Sequence, residues 1–283
     1  MDLNRSHKYF LLNKKKEKLI KLDILKDIIV FDFTSRLPGP LASKMLEQMG
    51  AQVFKIELSL DPFSNKESSF DDWYEQINNN KTIVNSIPTM TPHIVLAYKE
   101  EHFKQFKSSV KILVRGGRDD FKYLHDLNAL SFSKTYQDIL NKNSKMPDLP
   151  HAGIAYGQYI SNVSLALLSQ KTFEPQTLYL KDFAQFFFDL FYSESKQKLH
   201  EGIYPCYTIY KTKNDDLICF AAVEEKFWSK FIHLSGLNLS LDQRFDTSGD
   251  VKQILGDYFL QNTTTEIQQL LQDQHLCISL IKK

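Results

Sequence analysis

The sequence predicts an α/β protein: a Rossmann-like parallel-sheet domain followed by a smaller α+β domain. Residues 28–57 read as strand, tight turn, helix, glycine stop and second strand, the pattern of a parallel βαβ unit. Short continuous apolar runs return at Ile94-Val95-Leu96-Ala97-Tyr98 and Val110-Lys111-Ile112-Leu113-Val114, as strands buried on both faces require. From Gly202 the pattern changes to two alternating strands about a polar turn, followed by amphipathic helices. The predicted organisation is a polar leader over 1–25, a large domain over 26–200 and a small domain over 201–283.

Each element has a local reason. The leader carries Lys14-Lys15-Lys16-Glu17-Lys18 and reads as a solvated segment. The first strand, Ile28 to Phe33, is apolar except for Asp32. Pro38-Gly39-Pro40 ends it: Gly39 permits backbone angles closed to other residues, and Pro40 suits the first helical position, where no N–H is needed. Leu41, Met45, Leu46 and Met49 then form one apolar stripe, and Gly50 stops the helix before Val53, Phe54 and Ile56 begin the next strand. In such units ligands bind beyond the carboxyl end of the first strand, which places Ser35-Arg36-Leu37-Pro38 at the mouth of a pocket. Residues 58–80 read as loop and short helix, and 141–152 as loop. Ile160, Val163, Leu167 and Leu168 give 156–169 a helical period, and Phe183 to Tyr192 is an aromatic helix or strand suited to a core or an interface. In the small domain an Asn-Asp turn joins strands at 204–210 and 217–223, helices follow at 226–234 and 250–260, and Thr263 with Glu266 forms a capping box.

Composition bounds the function. Lys and Arg total 35 against 34 Asp and Glu, so no global field favours nucleic acid or an anionic membrane. No apolar run reaches the length of a membrane span, and the N-terminus has no apolar signal core. The cysteines, Cys206, Cys219 and Cys277, form neither a zinc pattern nor a disulfide framework, which predicts a cytoplasmic setting. No Walker A or Gly-x-Gly-x-x-Gly pattern is present.

The unit from Ile28 to Ser43, closing with Gly50 to Glu57, resembles the opening signature of the family III CoA transferases, the CaiB/BaiF type. The resemblance is nearest the α-methylacyl-CoA racemase branch, in a shortened and partly degenerate form, and extends in patches over 78–84, 111–131, 147–170 and 202–280. It implies the family III fold, an interlocked homodimer, a coenzyme A thioester as substrate and no tightly bound cofactor. His125-Asp126-Leu127-Asn128 resembles the racemase motif whose histidine is the acid/base at the α-carbon, and Glu224 with Phe227 resembles a glutamate and aromatic of the small domain, which implies a catalytic role for Glu224 in the active site of the partner subunit. For CoA binding the resemblance points to Arg36, Leu37 and Pro38 at the pocket mouth, to Lys55 in the motif strand and to Lys81 in Asn80-Lys81-Thr82.

That chemistry explains the residue types. A proton beside a thioester is weakly acidic, so its removal needs a positioned base and stabilisation of the enolate oxygen. Racemisation needs a group on each face of the carbon, and histidine titrates near neutrality. The transferase branch uses an aspartate nucleophile instead. This sequence departs at that aspartate: after Leu149-Pro150 the aligned position is Tyr156, which donates a hydrogen bond but forms no acyl anhydride, and Asp148 is the nearest carboxylate. The stretch from Lys81 to Ile94 is too short for a helix that the family has there, and the chain stops at Cys277-Ile278-Ser279-Leu280, close to where the family crosses back to its large domain. Two readings follow: an acyl-CoA enzyme working by α-proton transfer or CoA transfer, or a catalytically degenerate CoA-binding homologue acting as a regulatory or heteromeric subunit.

Overall fold

The computed structural model describes residues 22–64, 70–119, 124–143, 146–192 and 199–281, which form two compact units, one over 22–192 and one over 199–281. The lysine-rich stretch at 14–18 lies outside the described residues.

The large unit is built on six parallel strands in the order β3-β2-β1-β4-β5-β6. They are β1 (Ile29–Asp32), β2 (Gln52–Ile56), β3 (Thr82–Val84), β4 (Ile94–Ala97), β5 (Val110–Arg115) and β6 (Gln176–Tyr179). Phe31 pairs with Phe54 on one side and Val95 on the other, so β1 is central and its apolar run is buried on both faces. The order reverses between β1 and β4, which makes that junction the switch point where a crevice opens.

Helices α1 (Pro38–Gln48), α5 (His151–Gln170) and α6 (Leu180–Asp189) cover one face, where Leu46, Tyr156, Ile160 and Ala184 pack on Val30, Ile94, Leu96 and Ile112. The short helices α2 (Asp71–Asn78), α3 (Asp126–Leu130) and α4 (Lys134–Asn143) complete the unit. On the other face Phe31, Val95, Ala97 and Leu113 pack against Phe103 and Phe106. Fully burying a side chain of this size contributes roughly 1.5–3 kcal/mol, so alternation along β1 and β4 stabilises both faces of the sheet at once. Between β3 and β4 the segment 85–93 contains no helix and passes the two intervening strands, with Ile87 packed on the Phe31 face.

Three local expectations change. Helix α1 starts at Pro38, so Pro38 and not Pro40 takes the first helical position. Gly39 lies within the helix, and its role is space: a Cβ there would collide with the Thr34 side chain. Helix α4 runs on to Asn143 and helix α5 begins at His151, directly after Pro150, which as the N-cap needs no N–H, so residues 141–143, 151 and 152 are helix rather than loop.

The small unit is a three-stranded antiparallel sheet in the order β7-β8-β9, from β7 (Tyr207–Lys211), β8 (Leu217–Ala221) and β9 (Ile278–Ile281). Helices α7 (Glu225–Ser235), α8 (Asp250–Gln261) and α9 (Thr264–Leu271) pack with it around Phe220, Trp228, Phe231 and Phe259. The hairpin loop spans 212–216, longer than a two-residue turn, with Asp215 left-handed at φ +64°. Thr263 accepts from the Glu266 amide at 3.3 Å while the Glu266 carboxylate accepts from the Thr263 amide at 2.7 Å, the reciprocal capping box. Among the described residues no helix is long and apolar enough to cross a membrane.

Candidate active site

A cavity of about 790 Å³ opens at the β1–β4 switch point, beyond the carboxyl ends of β1, β4 and β5. The turn Ser35–Pro38, Tyr98 and Lys99, and Val114–Gly116 line it from those strand ends. Phe63, Phe70 and Trp73 form an aromatic shelf on its wall, Phe63 stacking on Phe70 at 4.4 Å. His125, Asp126, Leu127 and the start of α5 complete it.

The turn is set by a buried charge network. Asp32 ends β1 fully buried; it accepts from the Thr34 amide at 2.9 Å and from the Thr34 and Ser43 hydroxyls, and faces Lys81 Nζ at 3.6 Å. Burial by itself would raise its pKa, but the charges of Lys55 and Lys81 and the two hydroxyls outweigh burial and hold the carboxyl below its usual range. Lys81 donates to the Pro40 carbonyl at 2.7 Å and to Asn78 Oδ1 at 2.8 Å, and burial lowers its pKa to about 8. Lys55 donates to the Thr34 carbonyl and pairs with Asp61 at 3.4 Å and Glu57 at 3.8 Å. The side chains of Lys55 and Lys81 are 1% and 0% exposed, so the two lysines that the resemblance offered to CoA stand in the framework beneath the turn and do not line the cavity.

Arg36, Leu37, Pro38, His125 and Tyr156 do come together on the cavity wall. His125 precedes α3, its amide bound to Asn128 Oδ1 at 3.3 Å, and its Nε2 lies 3.5 Å from Arg36 Nη1. The next residue, Asp126, turns its carboxylate to the first turn of α5, where Oδ1 accepts from the Gly153 amide at 2.6 Å. Free amides at a helix N-terminus favour an anion. Burial nevertheless raises the Asp126 pKa, against the opposing pull of the Gly153 amide, the His151 charge and the Ala152 amide. Tyr156, in the second turn of the same helix, is fully buried and, among the described residues, donates to the Arg115 carbonyl at 3.5 Å. Burial pushes its phenol well above the ordinary value, so it is a standing donor and not a base.

Glu224 belongs to the small unit, where it is exposed and caps α7 through its carbonyl, which accepts from the Phe227 and Trp228 amides at 3.0 Å. Asp148 lines the cavity and is exposed. Asp126, Arg115, Tyr98 and the aromatic shelf were not singled out from the sequence as site residues. Asp126 lies inside the His125-Asp126-Leu127-Asn128 motif; nothing local marks the others.

The profile of CoA-transferase family III matches residues 25–85 and 182–283. The chain belongs to that family. Family III membership thus rests on the βαβ unit and the small unit, and His125, Asp126 and Tyr156 fall in the stretch between the matched segments. A CaiB/baiF CoA-transferase family protein of Caenorhabditis elegans, ZK892.4, is 33% identical over 104 residues, which is 36% of this chain and 29% of that protein. Two crystal structures share this fold. A hypothetical protein from Mycobacterium tuberculosis, Rv3272, superposes with a TM-score of 0.65 at 18% identity, covering 92% of this chain and 83% of that one. A CAIB/BAIF family protein from Brucella suis gives 0.65 at 12% identity, covering 93% and 85%.

Proposed function

We propose that this chain acts on a coenzyme A thioester in the switch-point cavity by moving the proton on the carbon beside the carbonyl. The observation that carries the reading is the meeting of Arg36, His125, Asp126 and Tyr156 on one cavity wall. His125 Nε2 takes the α-proton, and the C–H electron pair becomes the enolate π bond as negative charge moves to the thioester oxygen. Tyr156 or the Arg36 guanidinium donates a hydrogen bond to that oxygen. Return of a proton to the α-carbon from Asp126 or from His125 restores the thioester, inverted or unchanged. Asp126 suits proton work because burial raises its pKa and a backbone amide fixes one oxygen. A covalent acyl route is less well served, since position 156 carries a phenol. The reading includes an interlocked homodimer in the cytoplasm with no tightly bound cofactor, the former checked by sedimentation velocity.

A second reading, binding of CoA thioesters without turnover, is favoured by the phenol of Tyr156 standing where the resemblance expects a carboxylate. One experiment separates the two: incubation with a 2-methylacyl-CoA in D2O, with NMR of the α-position, beside calorimetric titration with CoA. Deuterium uptake that His125→Ala lowers by about 10²-fold or more supports proton transfer. Binding without uptake supports the second reading, and no binding removes both.

A further inference from the structure

We propose that Asp61 is a positioning residue: its buried carboxylate holds Arg36 in a left-handed backbone conformation that sets the Arg36 guanidinium against His125 and thereby fixes which imidazole nitrogen carries the lone pair.

The local geometry is unusual in three linked ways. Arg36 has φ +65°, a region that disfavours residues with a Cβ, and it lies between β1 and α1, where the chain must change direction. Its amide points at Asp61, whose two carboxylate oxygens accept from it at 3.1 and 3.0 Å. Asp61 is 1% exposed and is itself held, pairing with Lys55 at 3.4 Å and accepting from the Phe63 amide at 2.9 Å. A buried, charge-assisted acceptor of this kind is strong enough to keep a residue in a sparsely populated conformation. Lys55 also donates to the Thr34 carbonyl, so one ammonium ties the end of β1 to the carboxylate that grips the turn.

The consequence falls on His125. Arg36 Nη1 stands 3.5 Å from His125 Nε2. A guanidinium has only donors and is not deprotonated in proteins, so the nitrogen that faces it must accept. In the neutral ring this places the proton on Nδ1 and the lone pair on Nε2, where it accepts from Arg36; the lone pair becomes available as a base when the guanidinium turns to the thioester oxygen. Asp61 does not line the cavity, so its influence passes through Arg36. The catalytic meaning of this arrangement rests on the proton transfer proposed above; the tautomer itself does not.

The test is long-range 15N–1H NMR of the histidines in the whole chain at alkaline pH, with His125 assigned by His125→Gln. The parent should show a lone-pair nitrogen at Nε2 and a protonated Nδ1. Arg36→Gly keeps the left-handed turn without strain but removes the guanidinium; the Nε2 resonance should move toward the protonated position. Asp61→Asn should produce the same displacement while Arg36 is still present. Should Asp61→Asn not fold, Asp61→Glu, which keeps the charge beside Lys55 but moves the oxygens by a methylene, is read in the same way. A proton on Nε2 in the parent, a spectrum unmoved by Arg36→Gly, or one moved by Arg36→Gly but not by the position 61 variant overturns the proposal. Because no thioester is present, this result stands apart from the deuterium-uptake result.

Discussion

Gly157→Ala sets two opposite effects against each other. In an ordinary helix the exchange is stabilising by up to ~1 kcal/mol, because alanine loses less backbone freedom on folding. Gly157 lies in the interior of α5, where that gain should be available. The structure says it is overtaken. A Cβ at 157 would sit 2.8 Å from the Pro38 carbonyl oxygen and 3.1 Å from two carbons of Leu41. Leu41 could rotate away; the carbonyl belongs to the first residue of α1 and moves only if α1 moves. Overpacking of this kind costs typically 1–3 kcal/mol. Subtracting the full propensity gain leaves a net destabilisation of up to about 2 kcal/mol. Urea unfolding followed by circular dichroism reads this as a lower midpoint at unchanged slope. A Gly157→Ala protein more stable than its parent would refute the close approach of α1 to α5. It would also undo the placement of Pro38 on the cavity wall, which depends on that approach.

Two further outcomes follow from the network and the caps. Asp32 has its folded pKa below the ordinary 3.8, so its contribution to stability is fully present above about pH 4 and is lost as pH falls through the lowered folded value; Asp32→Asn should flatten the acid limb of a pH–stability curve measured by chemical denaturation, and an unchanged limb would show that the carboxylate is not held as described. Thr263→Ala removes one half of the capping box of α9 and should lower stability by ~1 kcal/mol, which Thr263→Ser should largely restore in thermal unfolding.

The βαβ unit was legible because its signals are local: a continuous apolar run, a proline at a helix start and a glycine at its end all lie within about thirty residues. The capping box of α9 was legible for the same reason. Strands β6 and β9 were not. Gln176-Thr177-Leu178-Tyr179 is short and half polar, and becomes a strand only because β5 offers it an unpaired edge. The site divides along the same line. Arg36, His125 and Tyr156 could be named from the position of the first turn and the family resemblance, and the fold brings them together. Lys55 and Lys81 could be noticed but not understood: a lysine beside a strand reads alike whether it faces a phosphate or a buried carboxylate. Its carboxylate partners supply no periodic signal: Asp32 is remote in sequence from Lys81, and Asp61, though near Lys55, follows the strand in a loop. Asp126 was hidden by its neighbour, since its work depends on where the N-terminus of α5 arrives.

The ammonium groups beneath the Ser35–Pro38 bend give that part of the cavity a shape independent of any guest. Thr34, Pro40 and Arg36 are tethered through contacts within the protein itself. A molecule arriving there meets a rigid surface and loses little free energy to ordering this bend. Association should accordingly be a single fast phase, its observed rate rising linearly with concentration, with differences in affinity among thioesters expressed mainly in how slowly each departs.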